Sequence, residues 1–419
     1  MYVAPQYCAS KSLQFWQRVC VSASVFLSLS CPVSAWAQDE VATSAWPNVS
    51  LHGFGTLGVT RTTTDSAQYV RDLSQPNGAD TQWTGSVDSL LGIQANVRID
   101  PSTEGVVQVV SRYHADSSYR PELTWAFLRH DFSPDFSLRA GRLGTEFYML
   151  GDSRLVGYSN LNVRPSSDFY GSLVFSYIDG LDASATLPVA SGLLRGKVFW
   201  GKSPEKTPYA PPGILWDLQG SELAGGYLDY STGPWQFRLS HAQVRFNQDM
   251  PADELLRSLG ITLGGIPYTT LVPEMAMANR QARFDSIGVV YDQGPLNVQV
   301  MFNQIKHDSL AYLDSKAGYV LAAYRLGAWT PFVGVSRSLA EAMPTGLDPV
   351  TNLLVVHSIT DQTTYTVGGR WDFQKNLSLK AQVDQIRGKP SSVYLLKGTE
   401  SGNWDGHMTV FSVALDFVF

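Results

Sequence analysis

Ionisable side chains along one glycine-rich stretch are the first candidates for chemistry in this sequence. The stretch runs from Gly141 to Gly171 and interrupts a series of alternating apolar and polar segments. Opposed rows of fixed charge set up a field that orders water and favours small polar solutes over apolar ones. Because a long ordered connection inside a domain is usually functional, we expect a filter here. The charged residues of the stretch are Arg142, Glu146, Asp152, Arg154, Arg164 and Asp168.

No motif in the sequence predicts a cofactor or a metal site. Residues 53–58 match GxGxxG, but no helix pattern follows them, as a dinucleotide site requires, so we interpret them as strand glycines. The seven histidines are scattered singly, without an HExxH motif or close i, i+4 pairs. They are His52, His114, His130, His241, His307, His357 and His407.

A Gly-Asp-Ser segment ending at Ser153 allows an esterase-like interpretation. His407, two residues after Asp405, offers a base and an acid for it. A lipase needs its serine and histidine within hydrogen-bond reach on one face. Ser153 and His407 lie in different predicted loops, and the Asp-His spacing does not fit that esterase family. We expect no catalytic residues and keep a lipase only as an alternative.

The first 37 residues read as a secretory signal peptide. Lys11 and Arg18 precede an apolar stretch, and residues 35–37 (AWA) offer a small-residue cleavage site. All three cysteines lie in this leader, so the mature chain has no thiol chemistry. Cys31 leaves a lipoprotein anchor as an alternative. Without Lys11 and Arg18 the mature charge is about −8, a poor match for a nucleic-acid binder.

Period-two alternation dominates the rest of the chain, residues 38–419. Leu91, Ile93 and Val97 fall on one face of a segment whose other face carries Gln94 and Arg98. The same pattern recurs in residues 106–114, 235–240, 296–303, 364–373 and 377–384. The body of the chain has no apolar run of about 18 residues, which argues against membrane helices. The pattern therefore predicts an all-β protein.

Short and long connections alternate as regularly as the side chains. Seven short turns fall at 100–102, 133–135, 190–192, 232–234, 294–295, 327–328 and 374–376. Eight long loops fall near 63–86, 115–121, 143–169, 203–220, 249–280, 308–315, 340–360 and 389–403. Together they imply about 16 antiparallel strands, with short turns at one rim and long loops at the other. This is typical of a transmembrane β-barrel.

A soluble β-sandwich or β-propeller would also alternate. Its strands would average about 5 to 6 residues, whereas a tilted membrane strand needs about 10, as many segments here provide. Arginine, lysine, glutamine and aspartate also occupy mid-strand positions on the polar faces. A water-filled lumen accepts such residues and a packed core does not. Aromatic residues near strand ends fit the interfacial girdles of a membrane barrel; they include Trp200, Tyr230, Trp235, Tyr291, Trp329 and Trp371.

Three segments resemble the Gram-negative general porins. The chain ends on an alternating strand, residues 411–419, whose last residue is Phe419, similar to the insertion signal of outer-membrane barrels. Residues 49–55 (VSLHGFG) look like the opening strand of that family. Residues 136–142 (FSLRAGR) look like the strand that leads into its inward-folded third loop. The family's acidic loop motif is not reproduced cleanly.

The resemblance implies an outer-membrane barrel of a Gram-negative bacterium, whose third external loop, residues 143–169, folds inward. It also implies a homotrimer in contact with outer-membrane lipid and lipopolysaccharide, with barrel-assembly machinery recognising Phe419. We expect a pore constriction where acidic loop residues face an arginine-bearing wall. Its predicted residues are Arg98, Arg112, Arg139, Arg142, Glu146, Asp152, Arg154 and Asp168.

These patterns predict a porin through which small hydrophilic solutes and ions diffuse passively, with a wall that leans basic. A channel selective for sugars or organic acids is the first alternative. An outer-membrane phospholipase and a barrel serving adhesion or structure are the others.

Overall fold

The computed structural model describes residues 48–210, 213–399 and 402–419. The predicted signal peptide, residues 1–37, lies outside the described residues. None of the helices in the described ranges is both long and apolar enough to span a membrane.

Sixteen antiparallel strands close into a single barrel, which confirms the predicted fold class and strand number. Their lengths of roughly 10 residues suit strands that cross a membrane at a tilt. The strands are β1 (Asn48–Thr62), β3 (Leu90–Asp100), β4 (Thr103–Arg112), β5 (Glu122–Ser133), β6 (Phe136–Gly144), β7 (Tyr177–Val189), β8 (Gly192–Lys202), β11 (Glu222–Thr232), β12 (Trp235–Arg245), β13 (Gln281–Gln293), β14 (Leu296–His307), β15 (Ser315–Tyr324), β16 (Trp329–Ala340), β17 (Asp361–Gln374), β18 (Leu377–Gly388) and β20 (His407–Val418).

The remaining elements lie in the long loops, which connect the strand ends opposite the short turns. The four short strands outside the barrel are β2 (Gln68–Tyr69), β9 (Lys206–Ala210), β10 (Ile214–Asp217) and β19 (Leu396–Lys397). The helices are α1 (Ser167–Tyr170), α2 (Ala252–Ser258), α3 (Tyr268–Leu271) and α4 (Pro349–Val355), with 3₁₀ turns at Gly157–Ser159, Pro273–Met275 and Val356–Ser358. Strands β2 and β19 pair with each other and so join the first and last long loops.

The barrel closes where its first and last strands meet. Strand β1 pairs with β20 from Phe54↔Val418 to Thr62↔Val410, and on its other side it pairs with β3. Every barrel strand therefore has two neighbours, and no edge is left to expose unpaired backbone groups to lipid.

Alternation along the strands separates an apolar exterior from the interior. In β12, Trp235, Phe237 and Leu239 are exposed, while Arg238 and Ser240 at alternate positions are buried. Two aromatic pairs mark the short-turn ends of the strands: Trp235 packs on Tyr291 at 4.7 Å, and Trp329 stacks on Trp371 at 5.0 Å. Such rows are typical of the girdle that sits at a membrane interface.

Part of the barrel interior is apolar, which the alternating pattern did not predict. The inner face of β15 carries Ala317, Tyr319, Leu321 and Ala323, all buried. They belong to a large apolar cluster that includes Phe169 and Tyr170 of the connection between β6 and β7, and both of these rings contact Tyr319. Because that connection lies against this part of the wall, the wall there provides apolar partners for it. Polar side chains of the kind predicted for a water-filled lumen thus cover only part of the inner wall.

Where β1 pairs with β20, two glycines of β1 leave space for the rings of Phe417 and Phe419. A Cβ added at Gly55 would lie 2.3 Å from the Phe417 ring, and one at Gly53 would lie 2.1 Å from the Phe419 ring. We predict that Gly55→Val displaces Phe417 and lowers the free energy of unfolding by about 1–3 kcal/mol. Circular dichroism during denaturant titration in detergent measures this. Leu57→Val, at the next outward position of β1, is the matched control and should cost less. Equal losses would show that Gly55 is not needed to accommodate Phe417.

Candidate functional site: the loop inside the barrel

The connection between β6 and β7, residues 145–176, lies inside the barrel, and we call it the inward loop. Only Asp152 and Ser159 of this loop are exposed; its other residues are buried or half-buried. The loop follows the inner wall from β8 through β20 to β1 and contacts each barrel strand in that arc. The contacting wall residues are Lys197, Tyr227, Arg238, Ser286, Asn303, Tyr319, Ser336, Gln362, Lys380, Ser412 and Thr60.

A cluster of alternating charge holds the beginning of the inward loop. Glu146, two residues after β6, forms ion pairs with Lys197 on β8 and, at 3.3 Å, with Arg139 on β6. The Nε of Arg139 also donates to both carboxylate oxygens of Asp182 at 3.0 Å, and Lys197 lies 3.9 Å from the same carboxylate. Two cations thus alternate with two anions across three neighbouring strands. We call these four residues the root cluster.

Glu146 stays ionised because of its partners. Burial alone would raise the pKa of its carboxyl group, but the ammonium of Lys197 and the guanidinium of Arg139 outweigh burial and lower the pKa to about 2. The negative charge of Glu146 is therefore present over the whole physiological pH range.

Arg238 and Asp152 lie next to the root cluster. Arg238 on β12 makes two hydrogen bonds of 2.6 Å to Asp229, lies over the Tyr227 ring at 3.8 Å, and donates to the Tyr148 carbonyl oxygen at 3.5 Å. Asp152 is exposed to the lumen. Restricted hydration between the walls and the charge of nearby Glu146 raise the pKa of Asp152, while Arg238 counteracts them. Charges of both signs thus lie close together at this part of the inner wall.

The far end of the inward loop is anchored by Arg164, which is 1% exposed. Its Nε and Nη2 donate to the two oxygens of Asp88 at 2.7 and 2.6 Å. Its Nη1 lies 3.4 Å from Asp384 on β18, and its Nη2 donates to Thr60 on β1 at 3.0 Å. Burial would lower the pKa of Arg164, but Asp88 and its other partners raise it. Arg164 is therefore a structural cation, and we call this group the anchor cluster.

Wall cations also bind the loop through its backbone. Lys380, fully buried, donates to the carbonyl oxygens of Gly157 and Asn162 at 2.7 and 3.1 Å and pairs with Asp416 at 2.9 Å. Arg370 donates to the carbonyl oxygens of Tyr158 and Asn160 at 2.6 and 2.9 Å. These bonds satisfy loop carbonyl groups that no β-ladder pairs.

Asp168 lies away from the root cluster. It is buried against the wall, where its carboxylate accepts from Ser336 at 2.6 Å and from Gln362 at 2.7 Å. Burial raises the pKa of Asp168, and these donors counteract the effect. The residue thus ties the loop to β16 and β17 instead of lining an open passage.

Arg112 and Arg154 meet the first long loop and not the root cluster. Arg112, at the end of β4, lies 3.7 Å from Asp72. Arg154 donates to Ser176 at 2.6 Å, and its carbonyl oxygen accepts from Arg71 at 2.6 Å. Burial lowers the pKa of Arg154, although Asp72 opposes it. The group connects the first long loop with the inward loop.

Arg98 and Arg142, the last two residues of the predicted constriction, lie away from the root cluster. Arg98 is exposed near the end of β3, beside the short turn and opposite Glu104 in register. Arg142 is three residues from the inward-facing Arg139, so it points outward, where it bonds Asp179 at 2.6 and 2.7 Å. Of the eight predicted constriction residues, the structure brings together Arg139, Glu146 and Asp152.

Sequence reasoning missed several acidic partners of these clusters. Asp182 and Asp229 occupy inward positions of β7 and β11, and continuing the alternation through those strands would have found them. Asp88 lies in a long loop, where there is no alternating pattern from which the direction of a side chain could be predicted.

A closed barrel with an apolar exterior, charged inner walls and an inward loop defines an outer-membrane channel. The sequence matches the profile of the Gram-negative porin family over residues 22–391. The chain belongs to the Gram-negative porins, and its place is the outer membrane of a Gram-negative bacterium. In such barrels the short turns are periplasmic and the long loops extracellular.

Solved porin structures share the fold at low sequence identity. OmpF of Salmonella typhi is 13% identical, with a TM-score of 0.56 over 89% of this chain and 98% of that one. The anion-selective porin of Comamonas acidovorans is 14% identical, with a TM-score of 0.54 over 89% and 100%. The channel DcaP of Acinetobacter baumannii is 10% identical, with a TM-score of 0.55 over 91% and 100%. The comparison with curated protein sequences found no match.

Removing the anchoring cation should destabilise the protein strongly. Arg164→Gln leaves the buried Asp88 carboxylate without its main partner, a change that typically costs about 3–5 kcal/mol. Denaturant titration measures the loss. Arg142→Gln removes an arginine from an exposed pair and should cost about 1 kcal/mol or less. Equal losses in the two variants would show that Arg164 does not anchor the loop.

Low pH should protonate Glu146 and weaken the attachment of the beginning of the inward loop to the wall. Because the folded-state pKa of Glu146 lies below its ordinary value of 4.5, its stabilising effect is complete above pH 4.5 and is lost as the pH falls towards 2. We predict that this part of the pH dependence of unfolding disappears in Glu146→Gln. A variant whose stability falls between pH 4.5 and 2 as steeply as that of the parent protein would contradict this assignment.

Proposed function

We propose that the protein is a porin through which small hydrophilic solutes and ions diffuse passively, and that it performs no covalent chemistry. The observation that carries the proposal is the root cluster beside exposed Asp152, at the inner wall of a barrel whose exterior is apolar. Fixed charges of both signs in a narrow aqueous passage favour polar solutes and disfavour apolar ones.

The proposed filter consists of Glu146 and Asp152 on the inward loop and three cations on the wall: Arg139, Lys197 and Arg238. Asp182 and Asp229 neutralise part of this positive charge. The ion selectivity should therefore be weak. Arg98 can act only at the periplasmic mouth, and Arg112, Arg154 and Asp168 act by holding the loops. Arg142, on the outer face, is left out of the filter.

A substrate-selective channel is the second candidate, and the path of the inward loop favours it. The loop contacts the wall continuously from β8 to β1, and apolar residues fill the space between it and β15. Passage is thus restricted to part of the lumen. A sugar or small organic acid that fits the remaining space would be preferred over other solutes of similar size.

We also infer a homotrimer in the outer membrane. One solved structure with the same fold, OmpT of Vibrio cholerae, is described as a trimer form. Exposed apolar residues on β1 and β3, such as Leu51, Leu57 and Ile93, supply a surface for subunit contact. Lipid, lipopolysaccharide and barrel-assembly machinery, through Phe419, are further proposed partners.

The lipase alternative lacks the necessary side-chain contact. Ser153 donates to the Leu150 carbonyl oxygen at 3.4 Å, while exposed His407 begins β20 and its backbone N–H donates to Asp405. No hydrogen bond joins Ser153 to a histidine in the described parts of the chain. Loss of lipid hydrolysis in Ser153→Ala would be required to support this alternative.

Electrical recording tests the channel. In planar bilayers the purified protein should give discrete conductance steps, and a salt gradient should give a small reversal potential. Asp152→Asn should shift that potential towards anion selectivity, because it removes an exposed negative charge, whereas Asp308→Asn in an external loop should not. A barrel without conductance steps would refute the porin proposal. A strongly cation-selective potential would refute the expected basic wall.

Liposome swelling separates the two transport candidates. General diffusion predicts that swelling rates fall smoothly with the size of the sugar or organic acid. A selective channel predicts one solute class that enters much faster than others of equal size, and that outcome would replace the first proposal with the second.

A further inference from the structure

A small polar cavity lies between the far half of the inward loop and the barrel wall. Its volume is about 40 Å³, enough for about three occupants of the size of a water molecule. Asn162 and residues 164–168 of the inward loop line one side, and inward positions of β15 to β18 line the other. The carboxylates of Asp168 and Asp384 both line this cavity, and both residues are buried.

Asp168 has no cationic partner although it is buried. Its carboxylate accepts hydrogen bonds from Ser336 and Gln362, and both of these donors are neutral. Among the described residues, no lysine, arginine or histidine side chain forms an ion pair with Asp168; the nearby Arg164 pairs with Asp88 and Asp384 instead. A charged carboxylate away from water is strongly unfavourable unless a positive charge lies beside it.

The anchor cluster next to the cavity does not supply that positive charge. Two arginines, Arg164 and Arg71, are shared by the three buried carboxylates of Asp88, Asp384 and Asp168. Arg164 lies within 2.7 Å of both oxygens of Asp88 but 3.4 Å from Asp384, and Arg71 lies 3.9 Å from Asp88. Negative charge therefore exceeds positive charge on the side of the cavity where Asp168 and Asp384 lie.

Ser166 adds an oxygen atom that no protein group uses. Its Oγ is buried and has no hydrogen-bond partner in the described part of the chain. Ser166 occupies the N-cap position of α1, where a serine hydroxyl commonly accepts a hydrogen bond from the helix backbone, but this side chain makes no such bond. Ser166 lines the same cavity as Asp168. Its hydroxyl group is thus available to an occupant of the cavity.

The atoms around the cavity suit a hard cation. Besides the two carboxylates and Ser166, hydroxyl groups of Thr364 and Thr366 line it. No group of three or more histidine, cysteine, aspartate or glutamate side chains in the described ranges is arranged to hold a metal ion, which argues against a transition metal. Calcium instead accepts about 6 to 8 oxygen ligands in flexible geometry, including water, whereas magnesium requires a nearly ideal octahedron.

We propose that this cavity binds one calcium ion, held by Asp168, Asp384 and Ser166 together with neighbouring hydroxyl groups and water. Asp168 and Ser166 belong to the inward loop and Asp384 belongs to β18, so the ion links the loop to the wall. The ion also balances the excess negative charge beside the anchor cluster. This site does not rest on the proposed transport function.

Calcium binding by the full-length protein in detergent tests the site. The protein is refolded without lipopolysaccharide, because the phosphates of that lipid would bind calcium themselves. After treatment with a chelator, calorimetric titration with calcium chloride should show one ion bound per barrel. Denaturant titration should show a higher unfolding midpoint with calcium than with chelator. Magnesium chloride should bind more weakly, and sodium chloride at equal ionic strength should not replace calcium.

Three variants separate a ligand from a merely structural side chain. Asp168→Asn should lower calcium affinity by about tenfold or more. With chelator present it should be at least as stable as the parent protein, because it removes an uncompensated buried charge. Ser166→Ala should lower calcium affinity several-fold without loss of stability in chelator, since no protein group bonds its hydroxyl. Asp308→Asn, which removes an exposed carboxylate in an external loop, is the matched control and should bind calcium like the parent protein.

Three results would overturn the proposal. The first is a parent protein that binds no calcium, which would mean that a proton neutralises Asp168. The second is calcium affinity that is unchanged in both Asp168→Asn and Ser166→Ala, which would place the ion elsewhere on the protein. The third is stabilisation by sodium chloride alone, which would assign the cavity to a monovalent cation.

Discussion

Closure of the backbone hydrogen-bond ladder is the constraint on which the rest of this structure depends. In a lipid environment an unpaired strand edge costs several kcal/mol for each polar group, so the sheet must return to its first strand. Pairing of β1 with β20 accomplishes this. Once the sheet is closed, alternate side chains face lipid and lumen, and most buried charge lies in the lumen. The glycines of β1 beneath the final phenylalanines allow close packing at this joint.

Charge inside the barrel is used mainly to position the inward loop. The root cluster holds its beginning, the anchor cluster its end, and Lys380 and Arg370 its carbonyl groups. Most of these ions are buried and paired, so they contribute little net charge to a passing solute. Asp152 is the exception because it is exposed. Glu146 thus serves both the root cluster and the proposed filter, whereas Asp152 acts in the filter alone.

Local periodicity was enough to predict the fold, whereas the site depends on long-range contacts. Alternation and turn spacing predicted the strands and the seven short turns, because side-chain direction in a strand is fixed by its neighbours. The inward course of the third long loop was implied by the resemblance to general porins. Glu146 follows β6 by two residues and lies beside Arg139, as expected for the start of the loop. Asp168 and Arg154 lie against other parts of the wall and the loop, and no pattern predicts side-chain direction so far inside an irregular segment. The apolar inner face of β15 was missed since alternation is absent there.

The anchor cluster also constrains the order of folding. Arg164 lies in the middle of the chain, yet its partners include Thr60 near the beginning and Asp384 and Ser412 near the end. This binding site for the loop does not exist until the terminal strands have come together. Contacts of such large sequence separation form late and slowly. We therefore expect docking of the inward loop to follow completion of the wall, so that a newly made barrel passes through a stage in which its lumen is wider than in the finished protein.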